Sequence, residues 1–163
     1  MSTAGQIKFI LKQVEREHPK CVEHIADLLG GFGILGRGAG SGNDLIALAR
    51  HGFPHQALSC FIASISPYLP GDSIKWIADT LHDSDDRCFD DCLTVEASLI
   101  LLSIACVFAL AVIATGSAAG ACGYTFLPHP ELFRQKPFEL VAINGDLRLA
   151  AYPLLAGLYG LPV

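Results

Sequence analysis

The chain contains 163 residues, of which 52% are hydrophobic and only 17% are charged. Charged residues usually make up about 25% of a soluble domain, so this composition is unusual for a protein that remains in water. The formal net charge of −5 argues against a nucleic-acid partner, because such binding requires a basic surface that displaces counterions from phosphates. The length suits one domain with an appendage.

The first 92 residues have the apolar periodicity of short helices. The first helix is predicted from apolar residues at positions i, i+3, i+4 and i+7, namely Ile7, Ile10, Leu11 and Val14. Ser2 or Thr3 is its predicted cap, and Pro19 ends it or opens the next helix. Further helices are predicted at residues 20–29, at 44–50, between Pro54 and Pro67, and after Asp72. Because each has one apolar face, together they predict a compact helical bundle over residues 1–92.

A glycine-rich loop interrupts this bundle at residues 30–42. Residues 31–36 match the pattern GxGxxG, in which glycines let a backbone approach a dinucleotide pyrophosphate. That motif must follow a strand and open a helix, whereas here a helix is predicted before it, so no cofactor is expected. The apolar residues Phe32, Ile34 and Leu35 are instead candidates for contact with a membrane surface or a partner protein.

The dominant feature is an uncharged apolar run, with no Asp, Glu, Lys or Arg between Glu96 and Glu131. A bilayer core of about 30 Å needs about 20 apolar residues in a helix, and residues 97–116 supply them, with extension to residue 120 allowing tilt. Leu, Ile, Val and Phe residues in that stretch favour insertion by roughly 3 to 6 kcal/mol in sum. The run therefore predicts a transmembrane helix within residues 93–123. The alternative is a central helix of a soluble protein, apolar on all sides because it is surrounded.

Small residues follow the bulky part of the run, at three- to four-residue spacing. They are Gly116, Ala119, Gly120 and Gly123. In lipid, small residues at this spacing let two helix backbones approach closely. These four positions are therefore predicted to form a helix-packing interface.

Motifs that would indicate catalysis or metal binding are weak. His51 and His55 have the i, i+4 spacing of a metal face, but Gly52 and Pro54 lie between them. Cys88 and Cys92 form a CxxxC pair that permits zinc binding without specifying it. The aspartates around residues 83–91 do not fit a calcium loop, since glycine and the bidentate glutamate are missing. No catalytic residue, metal site or small-molecule substrate is predicted, although an enzyme or nucleotide binder that uses the glycine-rich loop stays a second alternative.

The C-terminal tail, residues 124–163, supports two interpretations. Asn144 and Gly145 suit a type I′ turn, which predicts a β-hairpin over residues 138–152. The rival interpretation has Asp146 capping a helix that Pro153 would cut short. The hairpin is the prediction adopted here.

Together these features predict a mainly α-helical protein: a bundle, one apolar helix and a short tail. The predicted function is that of a non-enzymatic, single-pass membrane protein that docks on other subunits of a larger complex. The scattered cysteines suit a reducing, cytoplasmic compartment for the N-terminal domain. The alternative is a soluble or conditionally membrane-inserting helical protein, such as a toxin, an immunity protein or a secreted effector, with the apolar helix buried.

Overall fold

The computed structural model describes residues 2–31, 42–83 and 92–159, and this part of the chain is mostly helical, with no β-strand. It contains nine α-helices, in chain order α1 (Thr3–Glu17), α2 (Pro19–Leu28), α3 (Gly42–His51), α4 (His55–Ile65), α5 (Gly71–Asp83), α6 (Val95–Thr115), α7 (Ala118–Phe126), α8 (Pro137–Ala142) and α9 (Leu147–Tyr159). Two single-turn 3₁₀ helices lie at Ser66–Tyr68 and Pro130–Leu132. The predicted mainly α-helical class is confirmed.

The predicted helix starts follow from capping chemistry. The Ser2 hydroxyl accepts a hydrogen bond from the Gly5 N–H at 3.1 Å and so satisfies one unpaired donor at the start of α1. Pro19 occupies the first position of α2, where its missing N–H costs no hydrogen bond. The four apolar residues predicted to line the inner face of α1 are all buried.

The predicted β-hairpin over residues 138–152 is wrong. Helices α8 and α9 occupy this region, and Asn144 and Gly145 lie in the turn between them. The Asp146 carboxylate accepts a hydrogen bond from the Leu149 N–H at 3.1 Å, which caps α9 as the rival interpretation expected. The buried residues of α9 are spaced for one helix face, namely Leu147, Ala150, Ala151, Leu154 and Leu155. Burial of this face outweighs the lost hydrogen bond at Pro153, which lies inside the helix.

The core is arranged around α6. Seven helices lie directly against it (α1, α2, α3, α5, α7, α8 and α9), and α4 reaches it through the Phe61 ring, whose centroid is 6.0 Å from that of Phe108. One continuous hydrophobic cluster includes residues from α1 to α9. The apolar helix is therefore the centre about which the other helices of the described part pack.

The start of α6 is held by the connection between α3 and α4. The Leu93 N–H donates to the Phe53 carbonyl at 2.7 Å, and Pro54 forms an antiparallel bridge with Cys92. The Phe53 side chain is fully buried. This junction joins two segments that are about forty residues apart in the sequence and fixes where α6 enters the bundle.

Candidate functional site

Helix α6 is long and apolar enough to cross a membrane, with 21 residues and a mean hydropathy of 2.8 over its most apolar 18 residues. The Thr94 hydroxyl accepts from the Ala97 N–H at 3.1 Å and caps its start. Gly116 ends it in the left-handed conformation, with φ of +83°. The helix therefore stops at Thr115, short of residue 120, the end expected for a tilted span, and α7 begins in a new direction at Ala118.

The middle of α6 is covered on every side. All positions from residue 101 to residue 111 are buried, and 72% of the most apolar window lies inside the bundle. A helix that is surrounded must be apolar all round, because no face is available for polar groups. The outer faces of the covering helices are polar, as the exposed Lys8 and Lys12 of α1 illustrate. In this form the apolar middle of α6 is shielded from water by the chain itself.

Both ends of α6 remain apolar where the cover is incomplete. Val95 is 45% exposed, and Leu99 and Ile100 are half-buried beside the α8–α9 turn. At the other end Val112 and Ile113 are half-buried, and they line a cavity of about 370 Å³ with residues of α2. The apolar character of this helix thus extends beyond the part that packing in the bundle requires.

The turn between α6 and α7 is exposed and carries no charge. Residues 114–117 all lie at the surface, and the nearest charged residues along the chain are Glu96 and Glu131. The Ser117 hydroxyl accepts from the Gly120 N–H at 3.0 Å and starts α7. Helices α6 and α7 therefore form a helical hairpin that carries no charge from residue 97 to residue 126 and whose tip faces solvent.

The four predicted packing residues are divided by this turn. Gly116 is the cap of α6, whereas Ala119, Gly120 and Gly123 belong to α7. Ala119 is exposed, and a Cβ added at Gly123 would meet nothing within 4 Å. A Cβ at Gly120 would lie 2.6 Å from the Thr115 hydroxyl oxygen, so this glycine permits the tight α6–α7 turn. The four residues do not share one face of a continuous helix.

A second surface feature is a groove of about 550 Å³ between α1 and α9. Phe9 forms one wall, and the Arg148 guanidinium lies 5.1 Å from the centre of its ring. The Gln6 amide joins these helices, since its Nε2 donates to the Gly145 carbonyl and its Oε1 accepts from the Arg148 N–H, both at 3.1 Å. The groove offers apolar walls and one cation, and its Asp146 carboxylate serves as the cap of α9.

The two weak metal-binding patterns of the sequence, His51 with His55 and Cys88 with Cys92, are not seen as assembled sites in the described part. His51 ends α3 and His55 begins α4, so the pair does not share a helix face. Cys92 is exposed, and its predicted partner Cys88 lies outside the described residues. Within residues 2–31, 42–83 and 92–159, no three His, Cys, Asp or Glu side chains are grouped to hold a metal ion.

The glycine-rich loop falls largely outside the described residues. The predicted contact residues Phe32, Ile34 and Leu35 all lie there, as does most of the GxGxxG pattern. Their proposed roles in membrane or partner contact stay predictions.

One exposed apolar position escaped the sequence analysis. Phe133 is 85% exposed and lies in a loop between α7 and α8. The available signal was local: a single bulky aromatic residue between two prolines, Pro130 and Pro137, in an otherwise polar segment. Periodicity cannot identify such a residue, because the segment is neither helix nor strand.

No protein-family model, curated protein or solved structure matches the chain. The function is therefore inferred from the chemistry of its surfaces. Three features of the molecule are used: a covered helix of membrane length, an uncharged exposed turn and a loop with an exposed aromatic residue.

Proposed function

We propose that this chain is a helical protein that stores a membrane-length helix inside its own bundle and inserts it on contact with a suitable bilayer, in the manner of a toxin or a secreted effector. The observation that carries the proposal is the apolarity of α6 where it is uncovered. A helix that served only as a core would need apolar side chains only where other helices cover it. Val95, Val112 and Ile113 are apolar although each is exposed or half-buried.

The arrangement of α6 and α7 supports insertion as a hairpin. The exposed turn at residues 114–117 carries no charge, so its entry into hydrocarbon requires no charge to be desolvated. The covering helices, which have polar outer faces, would remain at the membrane surface with their apolar faces against the headgroup boundary. Insertion then exchanges contacts between α6 and its neighbours for contacts between α6 and lipid.

The experiment mixes the purified chain with vesicles of phosphatidylcholine and phosphatidylserine at neutral pH and at about pH 5, where carboxylates begin to be neutralised. Pelleting after a carbonate wash measures insertion, and release of an encapsulated dye measures disturbance of the bilayer. Maleimide labelling of Cys21, located by peptide mass, measures opening, because Cys21 is buried in the closed bundle. We expect all three signals to rise together. A chain that stays in the supernatant at both pH values with Cys21 protected would refute the proposal.

A variant that loosens the cover without changing α6 sharpens this test. Phe61 of α4 packs edge-on against Phe108 of α6, so Phe61→Leu weakens the closed form by roughly 1 kcal/mol. We expect insertion to become about five times more favourable. Gln6→Leu is the control, since it weakens the α1–α9 junction rather than the cover over Phe108. An equal increase in both variants would mean that general instability drives binding to the vesicles.

The second candidate function is a constitutive single-pass subunit of a membrane complex. Its specific support is the 21-residue length of α6 with a mean hydropathy of 2.8. Fractionation distinguishes the two candidates. A constitutive span requires detergent for extraction from cells and does not release vesicle dye, whereas a stored helix is recovered in buffer and inserts when vesicles are added.

A further inference from the structure

The segment at residues 127–136, called here the Phe133 loop, is a closely bonded connection between α7 and α8. Its base is an antiparallel bridge between His129 and Gln135. The Arg134 N–H also donates to the His129 carbonyl at 2.9 Å, and the Phe133 N–H donates to the Pro130 carbonyl at 3.2 Å. The His129 ring stacks on Tyr124 at 4.7 Å, which joins the loop to the end of α7. The shape of the loop is therefore fixed by hydrogen bonds and ring contacts.

The tip of the loop holds two consecutive non-glycine residues in the left-handed region. Phe133 has φ of +56° and Arg134 has φ of +63°. This conformation is costly for a residue with a Cβ, and a bulky aromatic residue there is a genuine outlier. The Phe133 side chain gains no compensating burial, because it is 85% exposed. A strained backbone that presents an apolar side chain to solvent indicates selection for contact with something outside the chain.

The surroundings of Phe133 combine apolar and basic groups. Leu127 at the start of the loop is 55% exposed. The Lys136 ammonium lies 4.4 Å from the centre of the Trp76 ring, and Trp76 packs edge-on against Phe138 at 5.1 Å. The loop carries Arg134 and Lys136 against Glu131, and the Lys136 ammonium also lies 3.9 Å from the Glu139 carboxylate of α8, so among the described residues Arg134 is the exposed, unshared cation of the loop in a chain of net charge −5. Aromatic side chains flanked by Lys and Arg are typical of the interface between membrane and water.

We propose that the Phe133 loop anchors the closed bundle on the surface of a bilayer that contains anionic lipid. Phe133 and Leu127 would enter the boundary between headgroups and acyl chains, while Arg134 and Lys136 remain among the lipid phosphates. A bilayer fits this feature better than a protein does. The apolar tip is one side chain without a surrounding flat surface, and lipid needs no shape complementarity whereas a protein interface does. This step precedes insertion of α6 and does not require it.

Trp76 provides a direct readout because it is the only tryptophan in the chain and lies beside Lys136. The full chain is titrated with vesicles of phosphatidylcholine containing about 30% phosphatidylserine, in the presence or absence of lipids brominated near the headgroup. We expect the Trp76 emission to shift to shorter wavelength and to be quenched by the brominated lipids. Unchanged emission, with the chain left in the supernatant, would overturn the proposal.

Substitutions at the tip separate lipid contact from folding. Phe133→Asn removes the apolar ring but is compatible with the fold, since Asn adopts the left-handed region more readily than Phe. We expect it to weaken vesicle binding at least about tenfold, and Phe133→Leu to retain most of the binding. Arg134→Gln should weaken binding about fivefold on anionic vesicles and leave binding to pure phosphatidylcholine nearly unchanged.

The matched control is Ile143→Asn, which removes another exposed apolar side chain, 65% accessible, from the turn between α8 and α9. We expect it to leave vesicle binding unchanged. Equal loss of vesicle binding in Phe133→Asn and Ile143→Asn would overturn the assignment of the loop. Self-association of the chain through Phe133, with no binding of the unaltered chain to vesicles, would overturn it as well. Failure of α6 to insert is distinguished by Cys21 labelling and dye release, because anchoring through the loop leaves Cys21 protected and the vesicles intact.

Discussion

The side-chain oxygen of Ser98 accepts a hydrogen bond from the backbone N–H of Phe53 at 2.8 Å, and both groups are buried. Ser98 lies in the first turn of α6, whereas Phe53 lies in the connection between α3 and α4. A buried backbone N–H must find an acceptor, and no water can supply one inside the core. This bond therefore couples entry of α6 into the bundle to the path of a segment far away in the sequence.

Loss of this acceptor should destabilise the fold. Ser98→Ala leaves the Phe53 N–H unsatisfied in the core, and we expect the free energy of unfolding to fall by about 1–3 kcal/mol. Ser103→Ala is the matched control, because Ser103 is equally buried in α6 but its hydroxyl donates only to the Leu99 carbonyl of the same helix. Urea denaturation of both variants measures the difference. Equal losses would show that the Phe53 contact contributes little.

Two glycines with positive φ are predicted to differ in their tolerance of a side chain. Gly52 has φ of +93°, and a Cβ there would lie 2.6 Å from the Leu93 carbonyl oxygen. Gly116 has φ of +83°, and a Cβ there would meet nothing within 4 Å. We expect Gly116→Ala to cost about 1–2 kcal/mol, the conformational strain alone, and Gly52→Ala to cost more because backbone must also move. Thermal melts of the two variants test the ranking, which equal midpoints would contradict.

Helix periodicity predicted most of this fold because the covering helices are amphipathic. The α1 stripe of Ile7, Ile10, Leu11 and Val14 is one example, and the Ser2 cap is another. Each of these signals lies within a few neighbouring residues, so each can be identified without knowing which other helices the segment contacts.

The errors arose where local signals competed. Asn144 and Gly145 are the preferred pair for a hairpin turn, yet they join two helices. Asp146 as a cap indicated a helix, but Pro153 weighed against it, and the burial of Leu147, Ala150 and Leu154 on one face is a tertiary effect. For α6, length and hydropathy do not distinguish a span from a surrounded core helix, since both require apolar residues on every face. Only the positions of the other helices in the structure show that α6 is surrounded.

Stability should fall at alkaline pH because buried thiols, among them those of Cys21 and Cys122, keep their protons in the folded chain. Burial raises the pKa of Cys21 from 9.0 to about 12 and that of Cys122 from 9.0 to about 11. The unfolded chain releases these protons as pH rises above about 9, while the folded chain keeps them, so rising pH favours unfolding. At about pH 10 each thiol lowers the free energy of unfolding by about 1.4 kcal/mol, or roughly 3 kcal/mol in sum.

Denaturation series between neutral pH and about pH 10 measure this slope. Near the top of that range Tyr124 begins to add to the same loss, because burial first and then the nearby Glu131 carboxylate raise its pKa above the ordinary value of 10.0 at which the unfolded chain releases the proton. The double variant Cys21→Ala and Cys122→Ala should lose less stability with pH than the unaltered chain, while the buried Cys106 remains in both. A double variant with the slope of the unaltered chain would contradict the assignment.

The buried hydroxyl of Thr125 in α7 differs from that of Ser98, which has a hydrogen-bond partner in the core. Thr125 is fully buried, and its Oγ1 has no hydrogen-bond partner among the described residues. A buried hydroxyl without a partner costs free energy, because it has lost its hydrogen bonds to water. Thr125→Val keeps the branched shape and removes the hydroxyl, so we expect a gain of about 1–2 kcal/mol in the free energy of unfolding.

Thr115→Val is the control for that prediction. Thr115 is exposed at the end of α6 and its hydroxyl donates to the Ala111 carbonyl, so removal of the hydroxyl should give no gain. Parallel urea series on both variants measure the difference. Destabilisation by Thr125→Val would mean instead that the hydroxyl has a polar partner in the folded protein.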